Sequence, residues 1–154
     1  MLESTRLFHS LYSLFDPSQH AAGKVGLLEP VNILIADDEP YIVRSLSYIL
    51  QREGIPFDVA TDGQQAIEKA RKLKPKVLFL DIMMPQRSGF EVCSMIKKDP
   101  ALRSIHIIML TAKGQEDDKQ KSREAGADEY ITKPFSPRQV LERVKEILGG
   151  RIDS

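Results

Sequence analysis

Several features are scarce or absent in this sequence of 154 residues. Cys93 is its one cysteine, so no disulfide can form within the chain, which suits a reducing compartment. No apolar run approaches the roughly 20 residues that span a bilayer. The first 30 residues also contain no continuous apolar signal segment. We therefore expect a cytoplasmic protein without a membrane segment.

An excess of charge of either sign is absent as well. The chain has 22 Lys and Arg residues against 22 Asp and Glu residues, which gives a formal net charge of +0 at pH 7. Because nonspecific binding of nucleic acid needs a positive field, we expect none by this chain. A hydrophobic content of 42% can fill a core, and 154 residues fit one domain.

The first 30 residues differ in pattern from those that follow. The stretch STRLFHSLYSLF places Leu7, Leu11 and Leu14 on one helical face, and the prolines and glycines after it are typical of a linker. We expect an extension, residues 1–30, with a short amphipathic helix. That helix either packs on its own domain or frays, or it serves docking or dimerisation.

From residue 31, strand-like and helical patterns alternate. The predicted strands are 31–36, 57–60, 76–80, 105–110 and 129–132, and the predicted helices are 40–53, 63–73, 89–98, 115–125 and 137–148. The third and fourth strands are almost entirely apolar, as strands covered on both faces must be. The pattern predicts an α/β fold, a five-stranded parallel sheet between layers of helices.

The residues that end four of these strands carry the chemistry. Asp37 and Asp38 follow the first strand, and Asp81 follows the third. Thr111 ends the fourth strand and Lys133 the fifth. Since an open α/β sheet binds ligands outside the carboxyl ends of its strands, we expect these five side chains at one edge.

Clustered carboxylates repel one another, and burying them is costly unless a cation compensates their charge. Hard oxygen ligands that leave room for water favour Mg²⁺ or Mn²⁺. A metal also attracts phosphate oxygens, to which Thr111 can donate a hydrogen bond, and Lys133 can neutralise charge on the carboxylate or on the phosphoryl group. Asp81, deepest in the cluster, is then the candidate nucleophile for an aspartyl phosphate.

The stretches ADDEP, LDIMMPQRSG, MLTAKG and GADEYITKPF, with the five strand–helix units, resemble the receiver domain of two-component response regulators. The resemblance is to receivers of the kind found in chemotaxis and sporulation-relay regulators. The resemblance covers residues 31–149 and leaves residues 150–154 as a tail. It implies a doubly wound, flavodoxin-like fold and a phosphorylation-controlled switch. Such a protein catalyses its own phosphorylation and dephosphorylation without being a classical enzyme.

The resemblance also implies roles in the acidic cluster. Asp81 would accept the phosphoryl group from a phosphohistidine of a sensor histidine kinase or a phosphotransfer protein. Asp38, Asp81 and the backbone carbonyl of Met83 would bind Mg²⁺ directly. Asp37 would act mainly through metal-bound water.

Further matches concern the response to phosphorylation. Thr111 and Lys133 match the phosphate-sensing positions, and Tyr130 matches an aromatic residue that changes rotamer. The Lys133–Pro134 peptide bond matches one that is cis in the family, where it aims the lysine inward.

No effector domain follows the receiver in this sequence, so we expect output through a partner or through assembly. Lys119, Glu129 and Arg143 lie where receivers of winged-helix transcription factors place the pairs of a two-fold dimer. Gln139 replaces an acid that is frequent in those receivers. The predicted homodimer face comprises the fourth helix, strand five and the fifth helix, and the alternative is a solvated surface of scattered charges.

Other functions fit less well. Haloacid-dehalogenase phosphatases also use an aspartyl nucleophile, but they need a second carboxylate two residues later, where this chain has Met83. Flavodoxin-like nucleotide binding needs a phosphate loop rich in glycine or hydroxyl groups, where this chain has DDEP. A signal-insensitive receiver that serves as an interaction module is the remaining alternative, although every catalytic position is intact.

Overall fold

The computed structural model describes residues 30–112 and 115–149. The helix expected in residues 1–30 and the tail of residues 150–154 lie outside the described residues. From Val31 onward the described chain forms one compact unit. None of its helices is long and apolar enough to cross a membrane.

Five strands alternate with five helices along the described residues. The strands are β1 (Ile33–Ala36), β2 (Phe57–Ala60), β3 (Val77–Asp81), β4 (His106–Ala112) and β5 (Glu129–Lys133). The helices are α1 (Pro40–Arg52), α2 (Gly63–Leu73), α3 (Gly89–Lys98), α4 (Glu116–Glu124) and α5 (Pro137–Gly149). The predicted α/β class and the predicted order of elements are confirmed.

All neighbouring strands are parallel, in the order β2-β1-β3-β4-β5. The direction of the chain across the sheet reverses between β1 and β3, which is where open α/β sheets bind ligands. Ala36, the last residue of β1, pairs in register with Leu80, the residue before Asp81. The residues that follow β1 therefore meet the end of β3 at this crevice.

The core lies on both faces of the sheet. Every residue of β1 and of β3 is buried. Alternate strand residues such as Leu34, Leu78 and Ile107 pack against α2 and α3, because side chains alternate between the two faces of a strand. Cys93 belongs to the same cluster, and burial raises the pKa of its thiol to about 12.

Helix α4 packs differently from the others. Its sequence, EDDKQKSRE, contains no apolar residue, and Ser122 is its buried residue. A helix that is polar all round depends on pairs three or four residues apart, and Lys119 makes such a pair with Glu116 at 3.3 Å. The helix is therefore held to the sheet without an apolar anchor of its own.

Candidate functional site

Three carboxylates meet at the crevice between β1 and β3. Asp37 and Asp38 directly follow β1, and Asp81 is the last residue of β3. Each offers an oxygen, and these oxygens lie within 4.8 Å of one another. Asp37 is 0% exposed and Asp81 is 5% exposed, whereas Asp38 faces solvent. The structure thus brings together the three acids that the sequence nominated.

The ammonium of Lys133 lies among the acids. Its Nζ is 2.9 Å from Oδ2 of Asp37, 3.0 Å from Oε1 of Glu39 and 3.3 Å from Oδ1 of Asp81. Lys133 ends β5, and its peptide bond to Pro134 is cis. Lys133 therefore supplies part of the positive charge that offsets the clustered acids.

One ammonium compensates the buried acids incompletely. Burial raises the pKa of Asp37 although the hydrogen bond to Lys133 opposes the rise. Burial and the charge of Asp37 raise the pKa of Asp81 to about 6. Burial disfavours the charged form of Lys133, but its hydrogen bonds to Asp37 and Glu39 outweigh that effect and raise its pKa. A further positive charge at the crevice would favour the ionised form of both aspartates.

Thr111 brings an unpaired hydroxyl to the same edge. Leu110 pairs in register with Asp81, so Thr111 lies one residue beyond the end of β3. The Thr111 side chain is 1% exposed, and its Oγ1 has no hydrogen-bond partner among the described residues. Because buried polar groups are almost always hydrogen-bonded, this hydroxyl is a donor available to a ligand oxygen.

Close backbone contacts position the loop between β3 and α3. A Cβ on Gly89 would lie 2.3 Å from the carbonyl oxygen of Asp81, and a Cβ on Gly63 would lie 2.3 Å from that of Arg87. Both contacts require a residue without a side chain. Within this loop the backbone N–H of Met83 donates to the Asp81 carboxylate, and the Met83 side chain is 79% exposed.

Tyr130 and the residues nominated for assembly lie on α4, β5 and α5. Tyr130 is 37% exposed, and Nζ of Lys119 lies 5.4 Å from the centroid of its ring. Arg143 donates two hydrogen bonds, each 2.7 Å, to Glu129 of the same chain. Two of the three residues that the sequence nominated for contacts between protomers, Glu129 and Arg143, are thus paired with each other.

Sequence reasoning missed the role of Glu39. From the sequence, Glu39 is expected either to lie beside the metal or to be a carboxylate favoured at the start of a helix. Glu39 does occupy the N-cap position of α1, but its side chain makes no capping hydrogen bond and instead contacts Lys133. No local signal predicts this contact, because the two residues are 94 positions apart.

Comparison with known proteins agrees with the fold and identifies the family. Residues 33–145 match the family model described as the response regulator receiver domain. The alkaline phosphatase synthesis transcriptional regulatory protein PhoP of Bacillus subtilis is 47% identical over 116 residues, which cover 75% of this chain and 48% of that protein. The phosphate regulon transcriptional regulatory protein PhoB of Pseudomonas aeruginosa is 45% identical over 116 residues, 75% of this chain and 51% of that protein. The chain therefore spans about half the length of these curated relatives.

Solved structures show the same architecture. A putative response regulator from Chloroflexus aurantiacus has a TM-score of 0.73 and 33% identity, with 79% of this chain and 99% of that chain covered. The chemotaxis response regulator CheY4 of Vibrio cholerae has a TM-score of 0.70 and 29% identity, with 77% and 99% covered. The doubly wound, five-stranded parallel sheet places the chain in the class of flavodoxin-like α/β domains. Within that class, the chain belongs to the response regulator receiver domain family of two-component systems.

Proposed function

We propose that this chain is a phosphorylation-controlled switch in a two-component phosphorelay. In this proposal Asp81 accepts a phosphoryl group from a phosphohistidine of a histidine kinase or a phosphotransfer protein, in a reaction that requires Mg²⁺ or Mn²⁺. The observation that carries the proposal is the position of Asp81, which is buried among two other acids and contacted by the Lys133 ammonium. The phosphorylated form then changes its binding to a partner or its assembly.

The donor set fits a divalent cation. Three carboxylates with oxygens within 4.8 Å of one another are hard ligands of the kind that Mg²⁺ and Mn²⁺ prefer. Asp38, Asp81 and the backbone carbonyl of Met83 would hold the ion, and Asp37 would act through ion-bound water. The bound ion would supply positive charge next to the oxygens of the transferring phosphoryl group.

In the transfer step one bond forms and one breaks. A carboxylate oxygen of Asp81 attacks the phosphorus atom and forms a P–O bond. The P–N bond of the phosphohistidine breaks, and its electron pair stays on the imidazole nitrogen. Asp81 must be ionised to attack, and the nearby charge of Lys133 lowers its pKa against the effect of burial.

Lys133 and Thr111 have complementary tasks around the phosphoryl group. The Lys133 ammonium neutralises charge on a phosphoryl oxygen, and the Thr111 hydroxyl, unpaired in the described residues, donates a hydrogen bond to another. Movement of Thr111 toward the phosphoryl group would leave space beneath α4. Tyr130, which is partly exposed on β5, would then turn inward and change the face formed by α4, β5 and α5.

Intact-mass measurement after incubation with acetyl phosphate tests the proposal. Wild type should gain one phosphoryl group with Mg²⁺ and none when a chelator removes the ion. Asp81→Asn should gain none, because an amide is not a nucleophile, and Asp38→Ala should need more Mg²⁺, because a coordinating charge is lost. Asp117→Asn, which alters an exposed acid at the start of α4, is the matched control and should be labelled normally. Folded wild type that remains unlabelled would favour the interaction module without phosphorylation.

A further inference from the structure

Glu39 is the third carboxylate on Lys133 and has no role in the proposed transfer. Its Oε1 lies 3.0 Å from Nζ of Lys133, and the contact joins the loop after β1 to the end of β5. The Glu39 side chain is 56% exposed, whereas that of Lys133 is 14% exposed. The ion pair therefore has one partner at the surface and the other inside the crevice.

Three carboxylates surround the Lys133 ammonium, and Glu39 accepts a hydrogen bond from it. An ammonium group carries three N–H donors, and Nζ of Lys133 contacts Asp37, Glu39 and Asp81. An incoming phosphoryl oxygen therefore competes with these carboxylates for the ammonium. Release of Glu39 costs least, because an exposed carboxylate is readily hydrated by water, whereas Asp37 and Asp81 are buried.

The other contacts of Glu39 indicate that its side chain can leave Lys133 without disturbing the loop after β1. Its backbone N–H donates to Oδ1 of Asp37 at 2.9 Å, so the loop remains tied to the acidic cluster when the side chain leaves. The side chain makes no capping hydrogen bond with α1. When the Glu39 side chain leaves Lys133, the backbone of the loop and the start of α1 therefore stay in place.

We propose that Glu39 is a latch on Lys133 that restrains uptake of the phosphoryl group. It is a positioning residue that holds the ammonium in the unphosphorylated state and releases it when a phosphoryl oxygen arrives. The inference rests on the proposed function of Asp81 and Lys133. It adds a residue that tunes the affinity of that site for the phosphoryl group.

Two substitutions of Glu39 separate the contact from the charge. Glu39→Gln removes the charge. Glu39→Asp keeps the charge, but its side chain is one methylene shorter, and aspartate is favoured as an N-cap, which draws it toward α1. Asp117→Asn removes one exposed negative charge after β4 without altering the contacts of Lys133. It therefore controls for the effect of one lost negative charge on the electrostatic potential at the site.

Calorimetric titration with beryllofluoride in the presence of Mg²⁺ measures how much the Glu39–Lys133 contact weakens binding of the phosphoryl mimic. Both Glu39 variants should bind the phosphoryl mimic about threefold more tightly than wild type, the size expected for loss of one partly exposed ion pair. Asp117→Asn should bind as wild type does. In a Lys133→Met background, Glu39→Gln should have no effect, because the latch acts only through the ammonium.

The outcomes distinguish this inference from the function on which it rests. Tighter binding by Glu39→Gln alone, with Glu39→Asp like wild type, would show a field effect and overturn the latch. Unchanged or weaker binding in both variants would also overturn it while leaving the proposed function standing. Failure of wild type to bind beryllofluoride with Mg²⁺ would overturn the proposed function and the latch together.

Discussion

Arg143 binds Glu129 through two hydrogen bonds, each 2.7 Å long, within one chain. The pair joins α5 to β5, and His106 contacts the same carboxylate. Such a two-point pair fixes both the distance and the plane of the partners. A dimer that exchanges Glu129 and Arg143 between protomers must first open the pair, so self-association and the stability of this face are linked.

The stabilising effect of the pair should depend on pH. The hydrogen bond from Arg143 lowers the pKa of Glu129 below its usual 4.5. A depressed pKa in the folded state contributes stability that is present above 4.5 and is lost as the pH falls through the folded value. Glu129→Gln should therefore lower the free energy of unfolding by about 1 kcal/mol at neutral pH and by much less in acid.

Urea denaturation at neutral pH and in acid checks this prediction. Glu142→Gln is the control, since Glu142 pairs with Arg138 at 3.7 Å on a more exposed part of α5. That variant should change stability little at either pH. An effect of Glu129→Gln that persists undiminished in acid would show that the ionised pair is not its source.

The phosphorylated state should favour self-association. We predict a weak dimer that beryllofluoride strengthens and that salt weakens, because exposed ion pairs are screened. Arg143→Glu should remove the effect of beryllofluoride, whereas Arg138→Glu, on an exposed residue of the same helix, should retain it. Sedimentation velocity measures this directly. If neither beryllofluoride nor Arg143→Glu alters the mass, this face serves another partner, and residues 1–30 become the better candidate for assembly.

The side chain of Met83 should prolong the phosphorylated state. It is 79% exposed beside Asp81, and a thioether holds an attacking water poorly, whereas hydrolysis needs a water held in line. Met83→Asn should therefore speed the decay of the aspartyl phosphate, and Met83→Leu should leave it slow. The decay of intact-mass label after removal of acetyl phosphate measures the rate. Equal rates in all three proteins would contradict the role given to this position.

Helix α4 should open more readily than the other helices. Its residues Glu116–Glu124 bury only Ser122, whereas α3 buries Val92, Cys93 and Ile96. Helices with few buried apolar contacts open at low free-energy cost. Hydrogen exchange followed by mass spectrometry should show faster exchange in α4 than in α3. Equal protection of the two helices would mean that α4 is anchored by contacts other than its own side chains.

The sequence was sufficient to predict the elements and the acidic crevice. The apolar stretches of β3 and β4 identify buried parallel strands, and residues at the ends of such strands share one edge. That rule places Asp37 and Asp81 together before any coordinates are known. The helix predicted at 115–125 is confirmed as α4, although its polar sequence lacks apolar periodicity.

Contacts between distant segments could not be predicted in the same way. The pair Lys133–Glu39 spans 94 positions, and the pair Arg143–Glu129 joins a helix to a strand 14 positions away. Which of several nearby charges pair depends on strand order, on register and on side-chain reach. The unpaired hydroxyl of Thr111 likewise follows from the register of β4 against β3, which the sequence pattern leaves open.

The central claim is that Asp81 forms an aspartyl phosphate, and chemical trapping tests it most directly. Wild type would be incubated with acetyl phosphate and Mg²⁺ and then treated with borohydride, which reduces an acyl phosphate to an alcohol. Peptide mass spectrometry should find homoserine at position 81, with Asp37 and Asp38 unmodified and no product without Mg²⁺. Homoserine at another position, or phosphate retained on a histidine or serine, would contradict the account.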